Sequence, residues 1–67
     1  MMKKIDLHGI KHEDVDRLVE NFVLLNEPPL RIITGNSDRM RELVTSVLGR
    51  CNIEYEQFRP SQILILK

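Results

Sequence analysis

An aspartate and a histidine stand two residues apart at the end of the first expected strand, and a glycine follows at once: Asp6-Leu7-His8-Gly9. In extended backbone, residues i and i+2 project to the same side, so Asp6 and His8 share one face while Ile5 and Leu7 share the other. Twice the rise per residue puts the two Cβ atoms about 7 Å apart, close enough to flank one small group. A carboxylate and an imidazole so placed suit proton transfer. His8 would serve as general acid or base, and Asp6 would orient it or hold a divalent cation such as magnesium with water and phosphate oxygens. Gly9 permits positive φ and a close approach of backbone or ligand. A second polar stretch, Thr34-Gly35-Asn36-Ser37, precedes Asp38, Arg39 and Arg41. Backbone N–H groups at such a turn, opening a helix, cradle an anion, and arginines in the first helical turn reach neighbouring phosphates. Gly9, Thr34, Gly35, Asn36, Ser37, Arg39 and Arg41 are therefore the expected phosphate-binding residues, with Asp6 and His8 as the catalytic pair. Acid–base group, anion cradle and flanking cations together suit cleavage of a phosphodiester.

Each part also has a plainer reading. Asp6 can cap the first helix or accept backbone N–H groups, His8 can be structural, and Gly-Asn-Ser-Asp is ordinary helix-capping chemistry. His8 and His12 are separated by a glycine turn, and Cys51 falls on an apolar stripe, so no ligand cluster of the zinc type is expected. The stripe also makes Cys51 a small core residue rather than a nucleophile.

The elements that must position these residues follow from periodicity. Met2 to Leu7 reads as a strand. Val15, Leu18, Val19 and Phe22 form an amphipathic helical stripe, with Glu13 and Asp14 in the first turn to complement its dipole. Pro28-Pro29 ends that helix and leads into a second strand, Leu30 to Thr34. A second stripe runs through Met40, Leu43, Val44, Val47, Leu48 and Cys51, with Gly49 and Asn52 as candidates for its end. Ile53 to Phe58, mixed in character, suits an edge strand; Ile63 to Leu66, apolar on both faces, suits an interior one. Arg59 to Gln62 link these two as an antiparallel pair. The order is βαβαββ in a single domain spanning residues 1–67. Right-handed crossovers make the first two strands parallel. The expected fold is an α+β two-layer sandwich: a four-stranded mixed sheet of order 1-2-4-3 with both helices on one face. Parallel pairing would bring Asp6-Leu7-His8-Gly9 and Thr34-Gly35-Asn36-Ser37 to one sheet edge, where α/β sheets usually keep their sites.

Composition bounds the function. Sixty-seven residues give one small core. Ten basic and ten acidic residues cancel, which argues against a strong, non-specific nucleic-acid binder. The halves differ, though: residues 1–29 carry net −2 and residues 30–67 net +2, the basic excess gathering at Arg31, Arg39, Arg41 and Arg50. Aromatic content of 4% leaves little for a base-stacking platform. No apolar run reaches membrane-spanning length, so no membrane partner is expected. The single cysteine fits a reducing, cytoplasmic setting.

Ile5-Asp6-Leu7-His8-Gly9, followed by Glu13-Asp14-Val15, resembles the Asp-Leu-His-Gly opening of the Smr (small MutS-related) domain. Thr34-Gly35-Asn36-Ser37 stands where that family has a His/Thr-Gly-x-Gly motif, and the βαβαββ order agrees over nearly the whole chain. Ser37 replaces the second glycine, Asn36 occupies an often basic position, and Asp38 adds a negative charge beside the cradle. The resemblance implies a fold similar to the C-terminal domain of translation initiation factor three. It also implies DNA or RNA as partner, and nicking endonuclease or endoribonuclease activity; Asp6, His8, Gly9 and Gly35 carry over. Two alternatives remain open: a non-catalytic nucleic-acid or ribosome-associated binding module, and a small homo-oligomer associating through the open sheet face, with Ile33 and one side of the last strand as apolar surface.

Overall fold

The computed structural model describes residues 2–67. Its elements are β1 (Lys3–Asp6), α1 (His12–Leu25), β2 (Leu30–Ile33), α2 (Asp38–Arg50), β3 (Glu56–Arg59) and β4 (Gln62–Ile65). The strands form one sheet in the order β1-β2-β4-β3, with β1 parallel to β2 and the other two pairings antiparallel. This is the α+β architecture expected from the sequence, with the same strand order.

Alternation along the strands decides the layers. Leu7, Leu30, Ile32, Ile63 and Ile65 are buried on the face that meets the helices, together with Val15, Val19 and Val23 of α1 and Met40, Val44, Val47 and Leu48 of α2. The buried line of α1 runs at i, i+4 and i+8, so Val23 takes an interior place while Leu18 and Phe22 are only half-buried. On α2, Leu43 and Cys51 likewise sit at the margin. A helix packed on a sheet buries a narrow stripe, and residues one helical step aside reach the rim. Arg50 spans from α2 to Asp16 of α1 at 3.3 Å, an exposed pair worth at most about 1 kcal/mol.

The bounds of all four strands differ from the sequence reading, and β2 ends at Ile33 rather than Thr34. β1 spans Lys3–Asp6 rather than Met2 to Leu7. The last strand starts at Gln62, which pairs with Ile33, and ends at Ile65. β3 begins at Glu56 rather than Ile53, because the end of α2 claims the residues before it. Asn52 adopts φ +59°, its N–H bonds to the Gly49 carbonyl, and the Ile53 N–H reaches back to Leu48 O at 2.9 Å. That is a Schellman closure with asparagine in the left-handed position, and it leaves Ile53 packed against the core rather than in the sheet. Gly49 lies inside the helix.

Candidate functional site

Parallel pairing of β1 with β2 in the register Asp6↔Ile33 brings the two polar stretches side by side at the carboxyl ends of their strands. The Leu7 N–H continues the ladder to the Ile33 carbonyl at 2.9 Å, so the chain leaves the sheet only at His8. There it turns: the Ile10 N–H bonds to Leu7 O, and Gly9 takes φ +81°, a conformation that side chains with Cβ rarely adopt. Asp6 holds this turn. Its Oδ1 accepts the His8 backbone N–H at 2.9 Å, a side-chain cap two residues ahead. The carboxylate therefore serves the turn and not the start of α1, whose N-cap Lys11 makes no side-chain cap. Both Asp6 and His8 are exposed.

The second stretch closes on the first. Gly35 takes φ +70°, and a Cβ placed on it would stand 3.8 Å from Cδ2 of the His8 ring. The imidazole thus lies over a residue with no side chain, next to the entrance of α2. Thr34 beneath it is buried (2% exposed), donates its hydroxyl to Gly35 O at 3.0 Å and its N–H to Ser61 O at 2.8 Å. Ser37 is the N-cap of α2: its Oγ accepts the Met40 N–H at 3.1 Å and its carbonyl the Arg41 N–H. The donors left at this helix start for an anion are the N–H groups of Asp38 and Arg39. Asn36 is exposed at the tip of the turn.

The two arginines are engaged within the chain. Arg39 pairs with Glu42 at 3.2 Å, an exposed helical pair that a bound phosphate can outcompete. Arg41, three-quarters buried, binds both the Asp38 carboxylate and the Pro60 carbonyl. It ties the start of α2 to the β3–β4 hairpin.

That hairpin is the part of the edge the sequence reading did not place there. Because β4 runs antiparallel to β2 with Gln62 opposite Ile33, Pro60 and Ser61 must lie beside Thr34. The signal was present in the strand order, once β4 was set next to β2. Among the described residues, no group of three or more His, Cys, Asp or Glu side chains stands together as a metal site. Asp6 is the carboxylate of the first motif, so a cation bound there would take its other ligands from phosphate and water. A depression of about 370 Å³, lined by Glu54, Tyr55, Glu56, Leu66 and Lys67, opens elsewhere and includes none of the motif residues. No helix is long and apolar enough to cross a membrane among the described residues.

Compared with protein-family models, with curated proteins and with solved structures, the chain shows no match.

Proposed function

We propose that this chain is a nucleic-acid-binding domain of the Smr type, and that His8, held by Asp6, acts on a phosphodiester at the edge shared with Gly35. The reading rests above all on one observation, the His8 ring set against Gly35. It joins an Asp-Leu-His-Gly turn to a Thr-Gly-Asn-Ser turn across a parallel strand pair, the juxtaposition that the Smr resemblance requires. In this proposal a phosphate oxygen takes the free N–H donors at the start of α2, and Gly35 lets the backbone come close. The exposed His8 imidazole then accepts or returns the proton of the attacking or departing hydroxyl. Asp6 fixes the turn that carries the imidazole, and would be the protein ligand of a divalent cation if the reaction uses one. Arg39 supplies a surface charge toward an adjacent phosphate. The half-buried lone thiol of Cys51 is compatible with a cytoplasmic setting.

A second reading, binding without cleavage, draws on the environment of the same groups. One oxygen of Asp6 is already committed to the His8 N–H, and Asp38 places a negative charge beside the cradle. The experiment that separates them incubates pure protein with supercoiled plasmid and with structured RNA, with and without divalent metal. Nicked plasmid or discrete RNA fragments that disappear with His8→Ala support catalysis. Binding without cleavage under every metal condition supports the second reading, and absence of both rejects the nucleic-acid assignment.

A further inference from the structure

The sheet has a face the helices do not cover, and its side chains follow from the register. Lys4, Arg31, Leu64 and Glu56 form one row across the four strands, and Asp6, Ile33, Gln62 and Arg59 form the next. The charges at the corners alternate: Lys4 and Asp6 at the β1 edge, Glu56 and Arg59 at the β3 edge. The middle of the face is Ile33 and Leu64, continued by Leu66, which is 48% exposed.

We infer that this face binds a second copy of the chain, sheet against sheet, about a twofold axis parallel to the strands. Such an axis keeps each row and reverses the strand order, so β1 of one copy lies over β3 of the other. Lys4 then meets Glu56 of the second copy and Asp6 meets its Arg59, and symmetry repeats both pairs. Leu64 and Leu66, on β4 beside the axis, then lie diagonally across it from their own counterparts. Arg31 then lies over Leu64 of the second copy, and Ile33 over its Gln62. A twofold axis across the strands also matches the corner signs, but it carries Leu66 past the Gln62 end of the sheet and leaves its apolar surface uncovered. Aligned sheets pack about 10 Å apart and within roughly 30° of parallel, an offset that long Lys, Glu and Arg side chains absorb.

The contact is small. The largest cross-section of the molecule is 25 × 22 Å, so the pair falls at the low end of specific interfaces and forms a weak, salt-sensitive dimer. The contact takes in Asp6, so within one complex it is an alternative to Asp6 holding a cation for cleavage; its test contains no nucleic acid.

Sedimentation equilibrium of the full chain, from about 10 µM to about 1 mM at low salt, should show the mass rising above the 7.9 kDa monomer. Adding about 1 M salt should reduce the association. Lys4→Glu and Glu56→Lys should each weaken self-association about tenfold or more, since each sets like charges face to face twice. Mixing the two variants should restore it, because the substituted glutamate then meets the substituted lysine at one contact and the wild-type pair of Glu56 with Lys4 is kept at the other. Circular dichroism checks that both exposed-site variants stay folded. Wild-type chain that remains monomeric at about 1 mM overturns the inference. So does a mixture no more associated than its components, which is the outcome the crosswise axis requires.

Discussion

Oδ1 of Asp6 accepts the backbone N–H of His8 at 2.9 Å, so the acid of the motif holds the turn that presents its histidine. In the proposed reaction, structure and chemistry would share that one side chain. An asparagine keeps an oxygen in that position and removes the charge, whereas an alanine removes both. We expect Asp6→Asn to leave the melting temperature near wild type and Asp6→Ala to cost about 1 kcal/mol, as lost side-chain caps do. Equal destabilisation by both substitutions would show that the charge, not the cap, is what the turn needs.

The same pair separates catalysis from packing. If His8 transfers a proton during phosphodiester cleavage, His8→Ala should lower the rate by about 10²–10⁴-fold with the fold intact. Asp6→Asn should lower it too, and the double variant should be little worse than the worse single one, because groups acting as a unit are non-additive. Single-turnover rates, set beside folded fractions from circular dichroism, decide the matter. Loss of cleavage merely in proportion to unfolding would assign both residues to structure.

Gly35→Ala tests the meeting of the two turns. The new Cβ would stand 3.8 Å from the His8 ring, an ordinary contact, so the cost comes from φ +70°. We expect a loss of roughly 1–2 kcal/mol in denaturant unfolding. Binding of nucleic acid should fall further than stability, because the methyl group stands where the phosphate would approach. Affinity that merely tracks stability would move the phosphate away from Gly35.

Arg39 and Arg41 should part company. Arg39 is exposed and, among the described residues, paired only with Glu42, so Arg39→Ala should leave stability unchanged and, if the side chain contacts phosphate, reduce the salt slope of binding by about 1. Arg41 bridges Asp38 and the Pro60 carbonyl, so Arg41→Ala should lower the melting temperature and increase hydrogen exchange in the hairpin around Ser61. Indistinguishable thermal and salt behaviour of the two variants would contradict this division.

The core stripe of α2 can be checked within one helix. Leu48 is fully buried and Leu43 only half-buried, so Leu48→Ala should cost about 2–5 kcal/mol and Leu43→Ala clearly less. For a chain of this size the larger loss is enough to unfold much of the population. Urea unfolding midpoints of the two variants supply the comparison.

Element order, strand order and the meeting of the two polar turns were legible in the sequence, for reasons that are local or topological. Helical stripes repeat every three to four residues, the strand after Pro28-Pro29 is apolar apart from Arg31, and a strand–helix–strand connection of this length favours parallel pairing of β1 and β2. Parallel pairing alone then places Asp6 and His8 beside Gly35. What the sequence left open depends on contacts between residues far apart in the chain. Val23 replaces Phe22 in the interior because the helix axis is set by the sheet beneath it. Ile53 leaves β3 because closing α2 at Asn52 needs its N–H. Arg41 faces inward because the hairpin offers the Pro60 carbonyl. The role of Asp6 was narrowed to the backbone N–H of His8 by a turn whose shape depends on Gly9. Periodicity specifies which face of an element is apolar, but only packing decides which hydrogen-bond partners and which charges remain for a ligand.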